Sequence, residues 1–486
     1  MIEEYISKHF LHPKIKFSDH DAGIKDFGDF TDAITFWKTI LVEKYGLTKG
    51  SKVAIFDTSL RFNYITLVLA AAELGIVLIL TPDKPTSNTG KSEKLDALVE
   101  QHGMIDLCIM DDMCMAQLPL VAAAKLYGLA LVNSNIFDTY TIKDHSLYNQ
   151  LKETILAGPD DVLVLTTTSG STGEPKLIAY THRQLYKIGK RNVSVYQYDT
   201  AVTCHTRNMH HAFVLLCHFL PVLTGTEMHY TKSWNNDAKD LVELVDYVNT
   251  NKINSVVVSY KQMLDSIFLV MIERNLTFLH DVTLIVGGFY ITKDYVDKIK
   301  KVNVKKIIST FGSNETLAPL LLRHVDQNTD TESYQANYLG KPCDDFYQMS
   351  LGDDGRLQVT CKELFDGQIT MDDRFSGDSK NGYYHQGREN FYRIDHTDFS
   401  LSQVNDIAKQ FATGEFNITI DIPYQRIYLT VWSGTVLIDD LNSSLHNRIG
   451  LAISSWDTLD PKEFNDEFKL NHDKLRHYYR QKEKLI

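Results

Sequence analysis

The sequence predicts an α/β protein: a large N-terminal region of mostly parallel sheets flanked by helices, followed by a small α+β C-terminal domain. Short apolar runs such as Ile76 to Leu80 and Ser255 to Ser259 have the length and β-branched content of strands buried on both faces. These runs alternate with segments of helical period, the rhythm of strand–helix–strand units. With 486 residues, 43% hydrophobic and 23% charged, the chain has the composition of a globular protein with room for more than one domain.

Along the chain, Phe30 to Trp37 opens an amphipathic helix, which Gly46 to Gly50 ends before the apolar strand Lys52 to Phe56. A second helix, Tyr64 to Leu74, carries Ala70, Ala71 and Ala72 and is capped by Gly75 before the strand Ile76 to Leu80. Val162 to Leu165 and Leu177 to Tyr180 read as the two strands of a hairpin. The strand rhythm resumes at Ser255 to Ser259, Val282 to Val286 and Lys306 to Ser309. Chain character changes near Gly387 to Asn390. Beyond it come one short apolar hairpin, Ile418 to Val436, and a lysine-rich helical end. The boundaries implied are 1–388 and 391–486.

A formal charge of −12 disfavours a general nucleic-acid binder, whose phosphate contacts need a basic surface. No apolar run approaches the roughly 20 residues of a membrane span, and the first residues are acidic where a secretory signal is basic. A cytoplasmic location is the expectation. Six cysteines lie without close metal-ligand spacing, which reads as core thiols.

Between the two hairpin strands stands Thr168-Ser169-Gly170-Ser171-Thr172-Gly173-Glu-Pro-Lys176. Gly170 and Gly173 open backbone angles that bring main-chain N–H groups close to phosphate oxygens, while the hydroxyls and Lys176 add donors and a positive charge. A polyphosphate, hence ATP, is the ligand this chemistry suits. Lys176 follows Pro175 three residues after the last glycine, so this is not the loop in which Gly-Lys-Ser/Thr opens a helix.

This loop, with Tyr180-Thr-His182 after it, resembles the phosphate loop of the ANL adenylate-forming enzymes: acyl- and aryl-CoA synthetases, peptide-synthetase adenylation domains and luciferases. Phe311-Gly312-Ser-Asn314-Glu315-Thr316 resembles the family's aromatic-Gly-x-Thr-Glu motif, with Asn314 in place of threonine. The resemblance implies that Phe311 stacks near adenine and that Glu315 helps hold Mg²⁺, a hard cation that seeks oxygen ligands. Gly287-Gly288-Phe-Tyr-Ile291 resembles the segment that walls the adenine and acyl pockets.

Met371 to Ser376, Gly382-Tyr-Tyr384 and Gly387-Arg388 match the family's Thr-Gly-Asp … Asp-Gly-Tyr … Gly-Arg series without a gap when Asp373 takes the aspartate's place. Asp373 would then accept the ribose hydroxyls and Arg388 would donate to ribose or phosphate. Asp372 is an alternative ribose partner. Near the C-terminus, Phe468 to Arg476 is loosely similar to the family's closing motif, with Lys474 as the catalytic lysine. The alternative there is a basic terminal helix, Lys474 to Lys484.

By the same resemblance, His211, Gly287 and Gly312 border the acid. His210 and His211 stand where amino-acid-activating members carry an aspartate. The activity implied is ATP-dependent conversion of a carboxylic acid to an acyl-adenylate with release of pyrophosphate, then transfer to a thiol such as coenzyme A. The small C-terminal domain would be mobile and act as a lid. Tyr392 to Phe399 lacks the glycine-containing loop at which thioester-forming members admit pantetheine. Two alternatives remain open: a stand-alone enzyme that loads a carrier protein or forms an amide, and a catalytically silent nucleotide or acyl-adenylate sensor.

Overall fold

The computed structural model describes residues 13–484 apart from 20–22, 57–61, 81–98, 100–102, 111–115, 117–120, 122–123, 126–129, 134–135, 168–176, 197–202, 206–226, 231–237, 259–260, 317–318, 366, 389–390, 395–396, 460–464, 467–468 and 471. The expected α/β class holds. One sheet runs in the order Ala130–Asn133, Leu107–Met110, Lys52–Phe56, Val77–Leu80, Val162–Thr167, Leu177–Thr181. Its first five strands are parallel and the last pairing is an antiparallel hairpin. Parallel strands covered on both faces read as unbroken apolar runs, and Leu107–Met110 is buried at every position.

Two helices pack against each other beside this sheet. Phe27–Thr39 starts at a capping box in which Asp26 accepts from the Gly28 and Asp29 N–H groups while the Asp29 carboxylate accepts from the Asp26 N–H. Phe62–Leu74 ends at Gly75, whose φ of +69° closes the helix, with the Ile76 N–H bonded back to the Ala71 carbonyl at 2.9 Å. Lys38 and Glu73, both fully buried, join the two helices by an ion pair of 2.7 Å. Lys38 also donates to the Thr154 carbonyl at 3.1 Å.

The larger sheet begins Gly23–Lys25, Lys16–Asp19, Glu227–Tyr230, Thr203–His205, Ser255–Val258, Val282–Gly287, Val304–Gly312. From Lys16–Asp19 to Val304–Gly312 its pairings are parallel. From there the character reverses: Pro319–Asp326, Tyr338–Pro342, Gly382–Arg388, Gln368–Asp378, Arg356–Thr360 and Gln348–Leu351 follow in order, all antiparallel. The reading from sequence singles out no such antiparallel half. Outer strands such as Arg356–Thr360 alternate and carry no unbroken apolar run, and Leu320 to Leu322 of Pro319–Asp326 is the exception. Gly340 has φ +102°, and a Cβ there would sit 1.8 Å from the Leu322 carbonyl oxygen, so only glycine lets these two strands close up.

Beyond residue 390 the described residues form three antiparallel strand pairs rather than the one hairpin expected, the smallest being Asn465–Asp466 with Lys469–Leu470. Phe391–Ile394 pairs with Thr397–Ser400 and also meets Gly382–Arg388 through one register pair, Arg388 with Phe391. Phe416–Asp421 pairs antiparallel with Arg426–Val431, which is joined by a parallel third strand, Ser455–Thr458. Ile394, Phe399, Val404, Ile418, Leu429, Leu441 and Leu445 share one core. The expected helical end is His472–Lys484. Its Tyr479 ring stacks on Tyr428 with centroids 4.7 Å apart, and Arg480 grips Asp421 through two hydrogen bonds of 2.6 Å.

Among the described residues, no helix is long and apolar enough to cross a membrane. Cys108, Cys343 and Cys361 are free thiols; Cys108 and Cys361 are buried as expected of core thiols, Cys343 is half-buried, and desolvation pushes Cys108 and Cys343 up to about 12.

Candidate active site

The carboxyl ends of neighbouring strands gather most of the described candidates. Gly287 closes the strand Val282–Gly287, and Gly312 closes its neighbour Val304–Gly312. A Cβ on Gly287 would lie 2.8 Å from the Thr310 Oγ1, which itself donates to the Val286 carbonyl at 3.0 Å. Gly288 follows with φ +83°, which turns the chain so that Phe289, Tyr290 and Ile291 are buried.

Phe311 enters an aromatic cluster with Phe375 and His385, at centroid distances of 5.3 and 6.4 Å. Strand alternation explains the neighbours: Met371, Asp373 and Phe375 are buried on one face of Gln368–Asp378, while Asp372 is exposed on the other. Asp373 faces the cluster. Its Oδ1 accepts from His385 Nε2 at 3.1 Å, and His385 Nδ1 is hydrogen-bonded to the Tyr290 hydroxyl. Arg388 is in register with Asp373 across the hairpin.

The Ser313–Thr316 turn is pinned from two sides. Tyr180 donates to the Asn314 carbonyl at 2.7 Å and Tyr347 to the Thr316 carbonyl at 2.5 Å. Ser313 reaches the Met371 sulfur at 3.7 Å, bringing the turn against the strand of Asp373. Glu315 is half-buried in that turn. Burial, with the Glu315 charge nearby, pushes the Tyr180 hydroxyl far up, so it remains a donor.

Thr168, Ser169, Gly170, Ser171, Thr172, Gly173 and Lys176 lie outside the described residues, as does His211. The strands that bracket this expected phosphate loop are described, and Thr167 pairs with Leu177 at their ends. Lys474 stands in the first turn of His472–Lys484, its side chain outside the described residues, as is that of Arg388.

Two features escaped the sequence reading. His385 and Tyr290 join Asp373 in one buried chain, and the only trace in sequence is that His385 lies two residues from the apolar Tyr383, on the same strand face. Arg191, on the helix His182–Tyr196, grips Asp344 at 2.7 and 2.9 Å and lies over the rings of Phe346 and Tyr347. No local pattern announces a pair separated by 153 residues.

Residues 27–371 match the family of AMP-binding enzymes. The chain belongs to that family. This AMP-binding enzyme is 26% identical over 280 residues to the putative acyl-CoA ligase YdaB of Bacillus subtilis, covering 56% of the chain and 52% of YdaB. It is 25% identical over 299 residues to the non-canonical non-ribosomal peptide synthetase ascB of Acremonium egyptiacum, covering 60% of the chain and 26% of that protein. The chain thus spans about half the length of the first curated relative and about a quarter of the second.

The fold of the AMP-binding enzyme is similar to that of solved adenylate-forming proteins. O-succinylbenzoate coenzyme A synthetase (MenE) of Bacillus subtilis, in complex with the acyl-adenylate OSB-AMP, superposes with a TM-score of 0.66 at 14% identity, covering 96% of each chain. McyG A-PCP with phenylalanyl-adenylate gives 0.65 at 15% identity, covering 98% of this chain and 94% of that one.

Proposed function

We propose that this enzyme activates a carboxylic acid with ATP, forming an acyl-adenylate and pyrophosphate, and passes the acyl group to a thiol such as coenzyme A. The observation that carries the reading is the convergence of Asp373, Phe311, Gly287–Gly288 and the Ser313–Thr316 turn, with Tyr180 tying that turn to the hairpin of the phosphate loop.

In this reading Asp373 accepts the ribose hydroxyls, Phe311 flanks adenine, and Arg388 donates to ribose or phosphate. Lys176 and the loop hydroxyls hold the polyphosphate, and Asn314 adds an amide donor at the turn. Gly287, Gly312 and His211 border the acid. The carboxylate attacks the α-phosphate in line, the bond to pyrophosphate breaks, and the acid gains a good leaving group.

Among the described residues no group of three or more His, Cys, Asp or Glu side chains forms a metal site. A single half-buried carboxylate, Glu315, fits a Mg²⁺ ion that arrives on the nucleotide's phosphates. That ion would neutralise polyphosphate charge. Residues 1–388 would bind ATP and acid, and residues 391–486 would form a lid that brings Lys474 to the reacting phosphate.

Pyrophosphate exchange with a panel of aromatic, aliphatic and amino acids tests the first half-reaction. Exchange with one or more non-amino acids supports the reading. No exchange with any acid, together with tight nucleotide binding, would point to a sensor. The second acceptor, a carrier-protein thiol or an amine, draws on one observation: the hairpin Phe391–Ser400 contains no glycine where pantetheine would pass. Acyl transfer to coenzyme A, measured from preformed adenylate, separates these acceptors.

A further inference from the structure

Tyr290, His385 and Asp373 come from three separate stretches of chain and are 3%, 2% and 6% exposed. Their polar ends meet in a line: Tyr290 hydroxyl to His385 Nδ1, and His385 Nε2 to Asp373 Oδ1 at 3.1 Å. A carboxylate only accepts, so Nε2 carries the proton. In the neutral ring Nδ1 is then an acceptor and the tyrosine hydroxyl donates to it. Phe375 and Phe311 pack on the imidazole at 5.5 and 6.4 Å and limit its rotation.

We infer that His385 is a positioning residue through which the Tyr290 hydroxyl, on the segment beside the acid, fixes the orientation of the Asp373 carboxylate on the nucleotide side. The inference rests on the proposed role of Asp373 as the ribose-binding group. It adds a link that neither end shows alone: a hydroxyl two hydrogen bonds away from the carboxylate sets its aim, so the two halves of the site share one strut. Such an aim matters because a hydrogen bond to a charged acceptor weakens steeply with misalignment.

The same order of groups recurs in the strand Glu227–Tyr230, where the Tyr247 hydroxyl meets His229 Nδ1 at 3.0 Å and His229 Nε2 meets Glu227 at 3.0 Å. Two strands separate it from Val282–Gly287 in the sheet. It provides a control in which the equivalent hydroxyl is removed away from Asp373.

The experiment measures ATP affinity by calorimetry, kcat and KM for ATP in pyrophosphate exchange, and Tm, all on the full chain. The variants are Tyr290→Phe, His385→Leu, His385→Gln, the double variant Tyr290→Phe/His385→Leu, and Tyr247→Phe. Loss of aim is expected to raise Kd and KM for ATP on the order of 10-fold in Tyr290→Phe and in His385→Leu, with kcat within about 2-fold. The double variant should be no worse than His385→Leu. His385→Gln, which retains an amide donor toward Asp373, should recover most of the affinity, and Tyr247→Phe should lower Tm alone. Wild-type ATP affinity in both Tyr290→Phe and His385→Leu, with only Tm reduced, would overturn the inference and leave the chain a packing feature. If the wild type binds no ATP, the functional reading falls first and the inference with it.

Discussion

The Tyr180 hydroxyl donates to the Asn314 carbonyl at 2.7 Å, across 134 residues of sequence. Tyr180 lies on the strand that returns from the proposed phosphate loop and Asn314 precedes Glu315, so one bond ties together two segments that the proposed function assigns to the nucleotide. Tyr180→Phe leaves the carbonyl without that buried donor and should cost about 1–3 kcal/mol of stability. Urea unfolding of both proteins measures it, and a change below about 0.5 kcal/mol would show that the turn holds itself.

Asp373 is the buried carboxylate on its strand and Asp372 the exposed one. Asp373→Ala should weaken ATP binding by the worth of a hydrogen bond to a charged group, about 1.5–3 kcal/mol, and Asp372→Ala should change it little. Calorimetry with ATP decides. The reverse result would move the ribose contact to the exposed face.

The Lys38–Glu73 pair is buried without solvent on either side chain. Removing one partner leaves the other charge buried without its counter-charge, so Glu73→Gln or Lys38→Met should each cost about 3–5 kcal/mol. Replacing both together with apolar residues should recover much of the loss. An additive double variant would contradict the pairing.

Burial holds His229 below the ordinary histidine range, against the opposing pull of Glu227. A histidine depressed in the fold is protonated first in the unfolded chain. Its contribution is therefore complete above about pH 6.5 and lost as pH falls below that, at no more than about 1.4 kcal/mol per pH unit. His229→Gln should be less stable at neutral pH yet show a shallower decline towards pH 5. Parallel urea midpoints for the two proteins across that range would refute the assignment.

Lys474 tests the lid. If it meets the α-phosphate in a closed state, Lys474→Ala should slow adenylate formation on the order of 10²–10³ and leave transfer from preformed acyl-adenylate near wild type. Single-turnover measurement of each half-reaction separates this from a surface lysine on His472–Lys484, for which both rates stay unchanged.

The parallel half of the fold was legible because burial on both faces forces apolar runs, as in Val282–Gly287. The antiparallel half was not, since strands such as Gln348–Leu351 have one wet face and no apolar block. Within the candidate site, Phe311 and Asp373 were singled out by motif resemblance, and both side chains meet His385. Tyr290 and His385 were not, because their meaning depends on a contact across 95 residues that no local pattern encodes.

Among the described residues, the hairpin Phe391–Ser400 pairs with the large sheet through a single rung, Arg388 with Phe391, yet Ile394 and Phe399 belong to the C-terminal core. In the proposed lid motion, turning such a joint would sacrifice about 0.5–1.5 kcal/mol of backbone bonding at that rung, with the core beyond left intact. The swing proposed for Lys474 would then be limited by what the two faces gain on meeting, and hardly by what the chain gives up at the seam.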